Sequence, residues 1–139
     1  MASAAVTPRV RTIVICDAVS ASRIENRVFN LRGVRQHLEA ASLPWCATLY
    51  VFLLLSSPRK GRYPGRVLIN NERNERVIRY AKFVAEFEED NELLPLYVDM
   101  SECVFPEAGL YSFAIHLTAQ DGDEALKGEH PFTVLLQEE

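Results

Sequence analysis

Hydrophobic and polar positions alternate along much of this chain with a period of two residues. The pattern is clearest between Tyr111 and Thr118, where large apolar side chains take every second position: Tyr111, Phe113, Ile115 and Leu117. Successive side chains of a β-strand point to opposite faces, so this alternation predicts a strand with one buried face. Other segments with alternating or β-branched residues predict strands at residues 11–16, 27–34, 67–69, 94–100 and 132–136.

Turn-forming residues separate these segments. The pair Asp121-Gly122 predicts a hairpin turn before the last strand, because glycine adopts positive φ without steric cost. The polar stretch at 70–75 predicts a second hairpin that leads into residues 77–87. The spacing of apolar residues in 77–87 fits a helix as well as a strand, and we favour the strand. Pro95 indicates that the strand 94–100 begins there or lies at a sheet edge.

One predicted strand differs from the others because it is apolar on both faces. Within residues 47–55, Tyr50 and Phe52 alternate with leucine and valine rather than with polar residues. An antiparallel strand that faces water on one side would alternate apolar with polar residues. This strand is therefore central with its outer face covered by another segment, or that face packs on a second copy of the protein.

Seven or eight short strands with turns between them, and no long unambiguous helix, predict an all-β antiparallel sandwich. The chain has 139 residues, of which 48% are hydrophobic, and this is enough to bury a core without a disulfide or metal. We expect a flexible arm at residues 1–10 and a single domain at 11–139. The stretch 37–44 is expected to form a helical turn or loop that ends near Pro44.

The apolar runs and the cysteines indicate the compartment. The longest apolar run, residues 49–55, is shorter than the ~20 residues of a membrane-spanning helix. The first residues lack the apolar block of a secretory signal. The three cysteines have no Cys-x-x-Cys spacing and fit reduced thiols. We expect a cytoplasmic protein that does not contact a membrane.

Charge is divided unevenly along the chain. Residues 1–79 carry thirteen Arg and Lys against five acids, a net +8, and residues 80–139 carry two Lys against fourteen acids, a net −12. Such a division indicates either an anionic partner for the basic half or two complementary halves of one fold. We favour complementary halves, because pairing between distant strands would mix them.

The most basic segment lies at residues 59–66. Two prolines and two glycines at 58–65 predict an exposed loop there. The loop presents four cations around the aromatic ring of Tyr63: Arg59, Lys60, Arg62 and Arg66. Cations with an aromatic ring suit a phosphate or a nucleic acid, and arginines also bind carboxylates of an acidic protein surface. The overall charge of −4 argues against nucleic acid.

Candidate catalytic and metal-binding residues are sparse. Cys16 beside Asp17 would need one of the histidines as its base, yet it ends an apolar strand, where cysteine behaves as a small hydrophobe. A metal site built from Cys46, Cys103 and His116 would lack the short spacings of zinc sites. We therefore expect no enzyme activity, no metal and no cofactor.

Several motifs together resemble an uncharacterised family of small bacterial proteins with an immunoglobulin-like sandwich. The motifs are ICDAV at 15–19, FNLRGV at 29–34, LPW at 43–45, FPEAGLYSFAIHL at 105–117, and HPFTVLL at 130–136 after a DG pair. The resemblance implies an immunoglobulin-like antiparallel sandwich and brings no known substrate. The stretches 59–66 and 88–92 are not part of it and look peculiar to this chain.

Two of these motifs have a direct physical interpretation. Tyr111 follows a turn at Pro106 and Gly109, as in the tyrosine corner of sandwich folds, where the hydroxyl bonds to nearby backbone. Gly33 indicates a bulge or a close approach of another backbone segment, because glycine otherwise weakens a strand.

The leading hypothesis is a non-enzymatic sandwich module that acts through protein contacts. Its partner is another protein or a second copy of the chain, and Tyr50 and Phe52 are its candidate contact residues. The alternative is an anion or nucleic-acid binder that uses the basic segment 59–66.

Overall fold

A computed structural model describes residues 7–25 and 27–137. This part of the chain forms twelve strands and no helix. The first six are β1 (Arg9–Cys16), β2 (Ala18–Ala21), β3 (Phe29–Arg32), β4 (His37–Ala40), β5 (Trp45–Ala47) and β6 (Tyr50–Ser57). The others are β7 (Gly61–Asn71), β8 (Val77–Phe87), β9 (Glu92–Asp99), β10 (Cys103–Phe105), β11 (Gly109–Thr118) and β12 (Glu124–Leu136).

Two sheets form the two layers. A three-stranded sheet has the order β1-β6-β9, and a five-stranded sheet has the order β4-β12-β11-β7-β8. Two short pairs, β2-β3 and β5-β10, complete the structure. All strand pairs are antiparallel except β4 with β12. No helix among the described residues is long and apolar enough to cross a membrane.

The core lies between the two sheets. Strand β6 contributes Val51, Leu53 and Leu55 to one buried cluster, and the facing β7 and β11 contribute residues such as Ile69 and Phe113. Strands β6 and β7 bury every second side chain, as the period of two requires, whereas β11 is buried on both faces between Tyr111 and Ile115. The predicted all-β sandwich is confirmed, and the immunoglobulin-like classification stays a prediction.

The number of strands was predicted wrongly, because seven or eight were expected. The additional strands β2, β4, β5 and β10 have only three or four residues each. Segments this short carry too few positions to show an alternating pattern. The stretch 37–44 illustrates the point: the expected helical turn or loop contains β4, which pairs in parallel with the end of β12.

The basic segment 59–66 is not a loop, and this prediction was wrong as well. Residues from Gly61 onward belong to β7, and only the turn at 58–60 lies between strands. Pro64 is compatible with the strand because β11 pairs with β7 only from Gly65 onward, so its missing N–H faces no strand on that side. A side chain at Gly65 would collide with the ring of Phe83 on β8, because an added Cβ would overlap Cζ of that ring.

The predicted strands and hairpins are present, but β7 and β12 begin well before the predicted 67–69 and 132–136. Residues 77–87 form a strand, and the turns at 72–76 and around Gly122 (φ 93°) join the hairpins β7–β8 and β11–β12. Pro95 lies on β9, an edge strand, as predicted. Of the predicted flexible arm, residues 1–6 lie outside the described residues, and Arg9 and Val10 begin β1.

Candidate interaction surface

The outer face of the three-stranded sheet carries a cluster of four aromatic rings, which we call the aromatic face: Phe29, Tyr50, Phe52 and Tyr97. Tyr50 and Phe52 are half-buried on the central strand β6. The register places Tyr97 of β9 directly opposite Phe52. Phe29 belongs to β3 and lies over the sheet from the β2–β3 hairpin.

The four rings contact one another edge to face or at a tilt. Ring centroids are 5.9 Å apart for Phe29–Phe52, 5.9 Å for Phe29–Tyr97 and 6.1 Å for Tyr50–Tyr97. These separations lie in the range that aromatic pairs prefer. The sequence left two explanations for the two-faced strand, and Phe29 shows that a segment of the same chain covers part of its outer face.

The cover is incomplete. Tyr97 keeps 45% of its surface exposed, and Leu93, on the same face of β9, keeps 57%. On the hairpin, Val28 is 40% exposed. The aromatic face therefore continues into an apolar margin that water can reach.

Ion pairs hold both ends of the hairpin. At its base, the guanidinium of Arg35 donates two hydrogen bonds to Asp17, at 2.6 and 2.7 Å. These bonds hold the pKa of Asp17 below its ordinary value. The predicted close backbone approach at Gly33 (φ 65°) is found here, since the Asp17 N–H donates to the Gly33 carbonyl at 3.2 Å, and an added Cβ would also collide with the Asp17 carboxylate.

Near the tip of the hairpin, Arg27 reaches across to β9. Its Nη1 lies 2.6 Å from Oε1 of Glu92. Desolvation opposes ionisation of Glu92, but the hydrogen bonds from Arg27 and from the Glu88 backbone outweigh it and lower its pKa. The hairpin that carries Phe29 is thus fixed at two points.

The structure separates the predicted residues of the basic segment. Tyr63 is fully buried, so its ring cannot stack on a ligand. Its hydroxyl donates to the Arg59 carbonyl at 3.1 Å. Arg66 is bound to Glu124, with N–O distances of 2.5 and 2.9 Å. Within residues 7–25 and 27–137, no ion pair involves Arg59, Lys60 or Arg62.

The remaining cations of this segment lie beside acids. Arg62 is opposite Glu86 in the β7–β8 register, and the backbone N–H of Lys60 donates to the Asp90 carboxylate at 2.8 Å. Among the described residues, four ion pairs join the basic half of the chain to the acidic half: Arg27–Glu88, Arg27–Glu92, Arg66–Glu124 and Arg73–Glu107. The interpretation of the charge division as complementary halves is confirmed for these pairs.

Cys16, Cys46 and Cys103 are free thiols, of which Cys16 and Cys103 are buried. Burial raises the pKa of the Cys16 thiol, and it raises that of Cys103 to about 12. Both thiols therefore stay protonated near neutral pH, which does not suit a nucleophile. Cys46 is exposed on β5, whereas His116 lies on the five-stranded sheet. No group of three or more potential metal ligands occurs in the described part of the chain.

Sequence reasoning found Tyr50 and Phe52 but missed Phe29 and Tyr97. The alternation in residues 27–34 showed which residues share a strand face with Phe29, and the alternation in 94–100 showed which share one with Tyr97. It did not show that β9 lies beside β6 or that the β2–β3 hairpin crosses the same sheet. Those are long-range pairings, which a local pattern does not encode.

Comparisons with known proteins give a family but no activity. Residues 11–135 match a family described as "Family of unknown function (DUF6941)". Among solved structures, the crystal structure of CopC from Methylosinus trichosporium OB3b is similar at 18% identity and a TM-score of 0.39. That similarity covers 76% of this chain and 89% of the CopC chain. No curated protein matches the chain.

Proposed function

The chain belongs to the family of unknown function DUF6941, and on this premise we propose that it is a non-enzymatic β-sandwich module that binds another protein through the aromatic face. The observation that carries the proposal is the partial cover of β6. Phe29 encloses the inner part of the face, while Tyr97 and Leu93 remain about half exposed.

The chemistry of the surface suits a protein partner. Aromatic side chains bury large areas at low entropic cost and are enriched at the centres of protein interfaces. The ion pairs Asp17–Arg35 and Arg27–Glu92 fix the hairpin, so the rings are held in place before a partner arrives. Such preorganisation lowers the cost of binding.

A photo-crosslinking experiment tests this proposal. Tyr97 is replaced by a benzoylphenylalanine and the protein is irradiated in the cells that produce it. The matched control carries the same group at Leu110, which is 49% exposed on the five-stranded sheet. We expect a discrete adduct from position 97 that is absent from position 110, and mass spectrometry then identifies the crosslinked partner.

The identified partner is purified and titrated against the wild type and Leu93→Asp. Leu93 is an exposed side chain at the margin, so its replacement leaves the fold intact, as thermal unfolding will verify. We expect binding to weaken at least about tenfold, equivalent to ~1.4 kcal/mol. Equal crosslinking from both positions, or unchanged affinity of Leu93→Asp, would contradict the proposal.

The rival function is an anion or nucleic-acid binder at 59–66, and fewer observations favour it. Arg59, Lys60 and Arg62 keep exposed positions, but Tyr63 is buried and Arg66 is bound to Glu124. Binding of labelled oligonucleotides that weakens with salt and is lost in Arg59→Ala with Arg62→Ala would favour the rival over the aromatic face.

A further inference from the structure

The five-stranded sheet ends in a long strand, β8, one edge of which pairs with no other described strand. β8 has eleven residues, and within residues 7–25 and 27–137 it pairs only with β7. An edge strand of this length presents a row of backbone donors and acceptors that can pair with another chain. Short edge strands, bulges or a covering segment usually prevent such pairing.

The edge is covered at its beginning and open afterwards. Arg79 donates through Nη1 to the Tyr80 carbonyl at 2.8 Å and through Nε to the Ser101 carbonyl at 3.2 Å. The Tyr80 carbonyl therefore points away from β7. Backbone groups of alternate residues point the same way, and the register has no shift between Tyr80 and Glu86. Lys82, Val84 and Glu86 consequently present their N–H and C=O groups to the open side.

We infer that a second copy of this chain pairs antiparallel with this edge, with the two-fold axis at Val84. Val84 is 47% exposed and would lie opposite itself. The same axis places Lys82 of each copy opposite Glu86 of the other. Opposite charges directly across an antiparallel pair stabilise it, and like charges destabilise it. This surface is separate from the aromatic face, so the inference does not depend on the proposed function.

The exposed outer side chains of β8 set the register, because Ala85 and Phe87 on its inner side are buried in the core of their own subunit. An axis at Lys82 or at Glu86 would place a charge opposite itself, so these registers are disfavoured.

A contact that repeats itself about a two-fold axis is the isologous interface of a closed dimer. The two five-stranded sheets would join into one continuous sheet, and the open edge would disappear.

Light scattering during size exclusion tests the inference on the full chain. We expect a mass twice the 15.7 kDa of one chain, falling to one chain on dilution. Lys82→Glu and Glu86→Lys should each raise the dissociation constant at least about tenfold, because each change creates two like-charge pairs per dimer. The double variant should restore the dimer. Lys127→Glu is the matched control, an exposed lysine on β12, and should leave the dimer unchanged.

Cysteine crosslinking tests the position of the axis. Opposite residues in a hydrogen-bonded antiparallel pair have Cα atoms about 5.5 Å apart, within the range of a disulfide. In a Cys46→Ser background, which removes the exposed native thiol, Val84→Cys should form a disulfide-linked dimer. Val77→Cys should not, although Val77 is exposed on the same strand, because it lies far from the axis.

Several results would overturn the inference. A mass of one chain at every concentration would exclude the dimer. A dimer whose dissociation constant is unchanged by both charge reversals would also contradict it. A lower dissociation constant in Lys82→Ala would mean that Lys82 prevents pairing at this edge. A dimer lost in Tyr97→Asp but kept in Lys82→Glu would place self-association on the aromatic face instead.

Discussion

The two sheets of this protein share one core, but their outer faces differ in side-chain size and in how they are covered. In the three-stranded sheet, the central strand β6 is apolar on both faces, and the β2–β3 hairpin covers the outer one in part. In the five-stranded sheet, the central strand β11 has small buried residues on its outer face, Ser112 and Ala114. Leu68 of the neighbouring strand lies directly opposite Ala114. The outer face of β11 is therefore buried at these positions without a further segment of the chain to cover it.

This difference is the basis for the two contact sites proposed above, one on each sheet. A large side chain on an outer face must be covered by the chain itself or by a partner, because exposed apolar area is unfavourable in water. The contact proposed for the three-stranded sheet is therefore a face, whereas the one inferred for the five-stranded sheet is the edge of β8.

Replacing Leu53 with alanine should destabilise the protein by about 2–5 kcal/mol, because its side chain is fully buried between the sheets. Replacing its neighbour Phe52 should cost less, about 1–2 kcal/mol, because that ring stays partly exposed under the hairpin. Urea denaturation with unchanged m-values measures both losses.

Ile69→Ala and Leu68→Ala form the matched pair in the five-stranded sheet, a buried and a half-buried neighbour on β7. Ile69→Ala should lower the free energy of unfolding more than Leu68→Ala does. Equal losses for Leu53 and Phe52 would show that the hairpin encloses the outer face as fully as the sandwich encloses the inner face.

Two tyrosines anchor long strands of the five-stranded sheet through the same contact. The Tyr111 hydroxyl donates to the Glu107 carbonyl at 2.7 Å, and the Tyr63 hydroxyl donates to the Arg59 carbonyl at 3.1 Å. Replacing either with phenylalanine should cost about 0.5–1.5 kcal/mol, with the shorter bond of Tyr111 costing more. Thermal unfolding checks this order, and no loss in either variant would mean that the rings alone anchor these strands.

Acid should loosen the base of the β2–β3 hairpin. Hydrogen bonds from Arg35 hold the pKa of folded Asp17 below its unfolded value of about 3.9. The pair therefore stabilises the fold above that pH, and its contribution is lost as the pH falls toward the folded pKa. Because both side chains are 44% exposed, the effect should stay below about 1 kcal/mol.

Hydrogen exchange of residues 18–32 measures this effect, with the β11–β12 hairpin as the internal reference. Exchange of 18–32 should accelerate on acidification in the wild type. Asp17→Asn should exchange faster already at neutral pH and change little with acid. A wild-type hairpin whose exchange follows the reference at every pH would show that Asp17–Arg35 does not hold it.

Local patterns predicted the long strands and one anchor of this fold. The alternation in 111–118 and the turn before it predicted both the strand β11 and the hydroxyl contact of Tyr111. The same contact made by Tyr63 was missed, because the surrounding prolines, glycines and arginines are typical of an exposed loop. Only the neighbouring strand β8, with Phe83 across Gly65, shows why those residues are tolerated in a strand.

Two of the four residues of the aromatic face could be predicted from the sequence. Tyr50 and Phe52 were identifiable because a strand with two apolar faces needs cover on both. Phe29 and Tyr97 were not, because their membership of the site depends on which strands become neighbours. The unpaired edge of β8 was equally invisible, since edge positions follow from the order of strands in the sheet.

The all-β class, the turns and the faces of the predicted strands follow from local sequence, because a period of two and the φ preferences of glycine and proline act over a few residues. Three features appear only in the folded chain: Phe29 covers β6, Arg66 binds Glu124, and one edge of β8 pairs with no other described strand. Each of these depends on pairing between residues far apart in the chain, where the energies of many contacts compete and no local pattern records the outcome.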